Sequence, residues 1–159
     1  MNEAETTVPF RIVPFSPDLA ARIRATRRDA AGRPVLVRTD GERHQCRACL
    51  ELTEPGEAVL LLSHRPFPSE QPYAETGPIF IHERPCVPSS GGASYPAEFP
   101  RHHVVLRAYS ESDEIVDAEL VGEARVEDVI ARLLARREIA YLHARNDGYG
   151  CYMFRVERG

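Results

Sequence analysis

Cys46-Arg47-Ala48-Cys49 sets two thiols three positions apart, and His82 and Cys86 follow later in the chain, four positions apart. Two chemistries compete for these residues. Zinc takes four soft or borderline donors in a tetrahedron, and a Cys-x2-Cys turn offers two thiolates from one tight loop. Cys46, Cys49, His82 and Cys86 would complete the set, with His44 and His64 as spares. The gap between the two pairs is longer than in an ordinary zinc ribbon, so the same letters also suit a reactive thiol. Cys46 adjoins Arg47, and a neighbouring cation stabilises a thiolate. A dithiol redox motif fits less well, because it wants a helix behind it and the stretch from Leu50 to Pro55 is too short for one. The plainest alternative is that these cysteines are small buried hydrophobes.

A second group lies near the end of the chain. Alternation along Ile139–Arg145 and Cys151–Glu157 puts Tyr141, His143 and Arg145 on one face with Cys151, Met153 and Arg155, with Arg145 opposite Cys151. A guanidinium beside a thiol stabilises thiolate and can clamp a carboxylate or phosphate. This face is either simply solvated or an anion pocket, and Tyr141 and Met153 favour cover over open water. Arg47, Tyr73 and Arg107 are the further residues expected to bind the ligand.

The elements that must position these groups are legible in outline. Phe10–Phe15 reads as a strand. Ser16-Pro17-Asp18 then supplies an N-cap, a proline for the first helical turn and an acid at the positive helix end. Leu19, Ile23 and Thr26 form the apolar stripe of that helix, which Gly32-Arg33-Pro34 should stop. Pro34–Thr39 suits a strand, Ala58–Ser63 a central strand buried on both faces, and Ile79–His82 its neighbour. His102–Tyr109 and Ile115–Val121 alternate as a hairpin: Val104, Leu106 and Ala108 should share the core with Val116, Ala118 and Leu120, and Arg107 should face and pair with Asp117. Val126, Val129, Ile130, Leu133 and Leu134 recur at helical spacing. The last hairpin turns at Asn146–Gly150. The expected class is α+β: a mainly antiparallel sheet with two helices and a C-terminal hairpin-helix-hairpin. The chain should be a single domain, 1–159, with 86–100, rich in Pro, Ser and Gly, as a flexible loop that is either a lid or disordered.

The 159 residues are 43% apolar and 28% charged, enough to bury a core unaided. A net charge of −4 gives no general attraction to phosphate backbones or anionic membranes, so neither nucleic acid nor membrane is an expected partner. All 20 basic residues are arginines, which reads as codon bias more than as a binding surface. Met1–Glu5 is acidic and unlike a signal peptide, no apolar run could span a bilayer, and four cysteines would stay reduced in the cytoplasm, the expected location. No phosphate loop, His-Glu-x-x-His or nucleophile elbow appears.

Taken together, Cys46-Arg47-Ala48-Cys49-Leu50, Glu54-Pro55-Gly56-Glu57, Pro72-Tyr73 with Gly77-Pro78-Ile79-Phe80, Arg107-Ala108-Tyr109 with Asp117-Ala118, and Gly150-Cys151-Tyr152 resemble the bacterial domain of unknown function 1203 family. The resemblance spans about two-thirds of the chain and implies a small bacterial protein with no established activity, cofactor or partner. In the family pattern the positions of Cys46, Arg47 and Cys151 belong to the shared motifs, while that of Cys49 is often Ser and those of His82 and Cys86 vary, which weighs against zinc as a family-wide feature. The expectation is a polar pocket that binds a small anionic molecule through Arg47, Tyr73, Arg107, His143 and Arg145. Cys46 or Cys151 would be the catalytic group if there is chemistry, and enzyme status stays open. The alternative is a zinc-stabilised interaction module with Cys46, Cys49, His82 and Cys86 as ligands and a protein partner or a second copy as its target.

Overall fold

Short connections between strands leave antiparallel pairing as the local solution, and every pairing between named strands here is antiparallel. The structure, a computed structural model, describes residues 8–159; the acidic start at Met1–Glu5 lies outside them. The order is β1 (Phe10–Val13), α1 (Pro17–Thr26), β2 (Leu36–Arg38), β3 (Val59–His64), β4 (Gly77–His82), β5 (Val104–Tyr109), β6 (Ile115–Val121), α2 (Val126–Leu134), β7 (Tyr141–Asn146) and β8 (Tyr152–Arg158). The strands form two sheets, β1-β8-β7-β5-β6 and β2-β3-β4. The α+β class holds, with β3 central in the smaller sheet and β4 beside it. Among the described residues no helix is long and apolar enough to cross a membrane.

Helix α1 begins as its sequence dictates: the Ser16 hydroxyl accepts from the Leu19 N–H and Pro17 occupies the first turn. It stops earlier than Gly32-Arg33-Pro34. Arg27 turns left-handed at φ 58°, and the Asp29 carboxylate takes the N–H groups of Ala31 and Arg33 and the Arg33 guanidinium. These local bonds compete with helix propagation. Helix α2 lays Val126, Val129, Ile130, Leu133 and Leu134 on the five-stranded sheet, each burial contributing about 1.5–3 kcal/mol. Its C-terminal carbonyls are met from β8, where the Arg158 guanidinium donates to Leu134, Arg136 and Ile139.

Two bulges shift the expected registers. In the β5–β6 hairpin, Tyr109 faces Ile115 whereas Ala108 faces Asp117 and Leu106 faces Glu119, so one extra residue, Val116, sits in β6. Asp117 and Glu119 therefore lie on the helix side, bonded to Arg136 and Arg132, and Ala118 and Leu120 turn outward. The expected Arg107–Asp117 pair does not form; Arg107 faces Ala118 and bonds Glu75. In the last hairpin, Ala144 faces Phe154 but Arg145 faces Tyr152, with Met153 the extra residue. Met153 drops into the core with α2, and Tyr152 takes the His143 side. Arg145 thus faces Tyr152, not Cys151.

Residues 86–100 run without a named element. Tyr95 and Phe99 from this stretch pack on Phe154, and Gly92 bridges Ile12 of β1. Gly91 beside it has φ +70°, and a Cβ there would stand 2.4 Å from the Ile12 carbonyl oxygen. Gly91→Ala should lower unfolding stability by about 2 kcal/mol or more. Gly148→Ala, at φ +81° but in open space, should cost only about 1 kcal/mol. Urea denaturation of the two variants checks the contrast.

Candidate functional site

The Cys-x2-Cys turn is a closed loop. The Cys46 N–H donates to the Glu51 carbonyl (3.0 Å) and the Leu50 N–H to the Cys46 carbonyl (2.9 Å), with Leu50 left-handed at φ 59°. It is strapped to β4: Cys46 bridges Phe80 in parallel, and the Arg47 N–H donates to the Phe80 carbonyl (3.1 Å). Because β4 ends at His82 and the chain returns at Cys86, the strap brings both halves of the Cys/His set together. The donor atoms of Cys46, Cys49, His82 and Cys86 all lie within 4.8 Å of one another.

Two of the donor–donor distances match edges of a zinc tetrahedron. Zinc bonds of about 2.3 Å to sulfur and about 2.0–2.1 Å to nitrogen give edges of about 3.8 Å between sulfurs and about 3.6 Å between sulfur and nitrogen. Cys46 Sγ stands 3.9 Å from Cys86 Sγ, and Cys49 Sγ 3.6 Å from His82 Nδ1. Several donors reach the sulfurs. The His82 N–H points at Cys46 Sγ (3.4 Å), and backbone N–H groups of Cys49 and Glu51 serve Cys46 and Cys49 in turn. Arg24 of α1 donates Nη2–H to Cys86 Sγ (3.3 Å) and Nε–H to the His82 carbonyl (3.0 Å). A dication held by three thiolates and a neutral imidazole would leave one negative charge, next to which the Arg24 guanidinium stands. Glu57 lies 3.7 Å from His82 Nε2, beyond hydrogen-bond reach, with the same oxygen held by Arg84 at 2.7 Å. Without an ion the thiols hold one another's protons: Cys46 is raised chiefly by its bond to Cys49, Cys49 is lowered by the same bond, and the bond to Cys46 together with burial pushes Cys86 up to about 12. Arg24 and Glu57 escaped the sequence reading; Arg24 stands far off in sequence on the helix, and Glu57 had only its place in the Glu54–Glu57 motif.

The remaining expected residues gather elsewhere. His143 is wholly buried among Phe67, Tyr109, Tyr141 and Tyr152, with ring centroids 4.8–5.2 Å away, and neither ring nitrogen has a hydrogen-bond partner. Burial, then the nearby Arg145 and Arg155, push its pKa down to about 2. Arg107 bonds Glu75 Oε1 at 2.6 Å, and Arg145 approaches Glu75 Oε2 at 3.8 Å. A cleft of about 270 Å³ beside them is lined by His64, Glu75, Arg145, Gly150, Cys151 and Tyr152 among others. Tyr73 is 40% exposed two residues before Glu75, whose N–H its carbonyl accepts. Cys46 belongs to the thiol cluster and Cys151 to the cleft. Arg47 is buried, feels the charge of both, and directs Nε to the Tyr152 carbonyl (2.8 Å) and Nη1 to the Gln45 carbonyl (2.7 Å). Burial lowers its pKa to about 10. The spare histidines have other neighbours: His44 pairs with Asp40 at 3.0 Å, and His64 packs between Phe15 and Tyr152.

Residues 43–158 match the family described as Protein of unknown function (DUF1203), and the chain belongs to that family. No curated protein and no solved structure matches the chain.

His143 makes stability depend on acidity. Once unfolded, it takes up a proton near pH 6.5, whereas the folded ring stays neutral down to about 2. The unfolded state therefore binds more protons between these values, and stability falls as pH drops below about 6.5, by up to ~1.4 kcal/mol per pH unit from this residue. His64, lowered to about 4 by burial, adds to the upper part of the same limb. His143→Phe should reduce the slope of unfolding free energy against pH by about one proton; equal slopes in variant and wild type would exclude the buried imidazole as the cause.

Proposed function

We propose that this DUF1203 protein is a zinc-stabilised interaction module, with Cys46, Cys49, His82 and Cys86 as the ligands of a structural ion. The observation that carries the reading is the pair of crossing donor distances, 3.9 and 3.6 Å, which match two edges of a zinc tetrahedron. Four protein ligands leave no open position for substrate or water, which is the signature of a structural rather than a catalytic zinc. The ion would tie the Cys-x2-Cys loop, the end of β4 and the start of the proline-rich segment into one unit, with Arg24 extending the tie to α1. Binding is then the role left to the surface. The outer edge of the small sheet supports it: β2 is terminal, and Leu36 and Val37 are 57% and 56% exposed. A protein partner or a second copy of the chain could pair there.

A second reading is favoured by the convergence of Arg107 and Arg145 on one carboxylate beside Cys151. The cleft would take a small anionic molecule, and Cys151 would be the thiol able to act on it, since Cys46 is committed to the ion. If Cys151 is activated, it should react with a disulfide reagent at neutral pH faster than a free thiol does; an ordinary rate removes the catalytic role.

Elemental analysis of purified protein should find one zinc per chain. Cys49→Ser and Cys86→Ser should lose it and melt at lower temperature, whereas Cys151→Ser should keep both metal and stability. Metal-free wild-type protein that is fully folded would overturn the zinc reading.

A further inference from the structure

The side of the five-stranded sheet away from α2 holds polar groups that the metal centre does not use. Arg145 is only 6% exposed, donates Nη1–H to the Gly150 carbonyl at 3.1 Å, and leaves its buried Nε without a partner. A buried guanidinium short of acceptors is costly. Its nearest anion is Glu75, and at 3.8 Å the two are too far apart for a hydrogen bond. Arg107 holds the other oxygen of that carboxylate at 2.6 Å. One carboxylate thus lies between two guanidiniums and satisfies only one of them.

The local charge is unbalanced. Arg107, Arg145 and the buried Arg47 are cationic, and the neighbouring rings of His64 and His143 are held neutral. Glu75 is the anion that the pairings place against Arg107 and Arg145. It is half exposed and sits on the stretch between β3 and β4, which has turns but no named element. Nothing in a sheet or helix fixes its side chain in place. The cleft it borders also holds Cys151 and Tyr152, and the 97%-exposed Tyr149 stands at its rim.

We propose that this cleft is a carboxylate-binding site, and that Glu75 occupies it as an internal stand-in which an external carboxylate displaces. The ligand class follows from the occupant: a planar carboxylate already lies across Arg107 and Arg145, and a free one, unconstrained by the Gln71–Pro78 backbone, could sit squarely on Arg145. Arg107 and Arg145 would bind the carboxylate, and Glu75 would set the affinity by competing for them. The proposal rests on the second reading above and is independent of zinc.

The test is a backbone-amide NMR titration of the full chain with succinate, and in parallel with inorganic phosphate, on wild type, Glu75→Gln and the double variant Glu75→Gln/Arg107→Gln. Arg107 is partly exposed, so its replacement should leave the fold intact, which the unperturbed spectrum verifies. Succinate should shift the amides of Arg145, Gly150 and Cys151 saturably, bind Glu75→Gln at least tenfold more tightly than wild type, and lose that gain in the double variant, with phosphate weaker throughout. Succinate binding that is insensitive to Glu75, or a preference for phosphate, overturns the proposal and leaves an anion cleft standing. If neither anion shifts these amides in Glu75→Gln, the proposal and the anion reading both fail.

Discussion

One buried residue, Arg47, ties the two sheets through its backbone and its guanidinium. Arg47 is 2% exposed. Its backbone N–H bonds Phe80 of the small sheet, its backbone carbonyl accepts from Phe15 ahead of α1, and its Nε bonds the Tyr152 carbonyl of the large sheet. A cation in such a place is tolerable only when acceptors surround it, so its bonds determine where the loop can lie. That loop carries Cys46 on one side of Arg47 and Cys49 close on the other. The backbone strap to Phe80 sets the loop beside the end of β4, and the Arg47 side chain holds that loop against the large sheet.

The same economy of partners explains the opposite face of the large sheet. In a sheet packed on one side only, Tyr109, Tyr141 and His143 would point to water. Here the stretch after β3 folds back and sets Phe67 edge-on to Tyr109, while Tyr109 and Tyr141 stack at 12°. The Tyr141 hydroxyl is bonded to buried Asp113, and the Arg155 guanidinium lies 3.7 Å from the Tyr141 ring centroid. An aromatic enclosure of this kind excludes water from His143 and keeps it uncharged amid arginines. It also brings Glu75 over Arg107 and Arg145. Most other ion pairs among the described residues are exposed and contribute little; here Arg145 is buried and its carboxylate stands 3.8 Å away.

Much of the fold was legible because its signals are local. The Ser16-Pro17-Asp18 start of α1, the heptad-like stripe of α2 and the continuous apolar run of β3 each depend on neighbours within a turn or two, and each matches the structure. The thiol cluster was legible only as a list of residue types, which suited a metal, a reactive thiol or plain burial alike. The registers were not legible. Val116 and Met153 are ordinary strand residues, and nothing in their types marks them as the extra residue of a bulge. One slipped position reverses every side chain beyond it, which is why Ala118 and Leu120 face out and Tyr152 rather than Met153 sits beside His143.

The sequence by itself determined the class of fold, the helices and most strands, and the donor types that could meet a metal ion, because periodicity, capping and ligand chemistry are written in single residues and short intervals. Tertiary structure alone decided which donors meet. It brought Arg24 to Cys86 across 62 positions and Glu75 to Arg107 across 32, and it set the Arg47 guanidinium against the Tyr152 and Gln45 carbonyls. Those outcomes depend on which buried polar group finds which partner once the sheets close, and a hydrogen bond over that distance leaves no mark on the residues between.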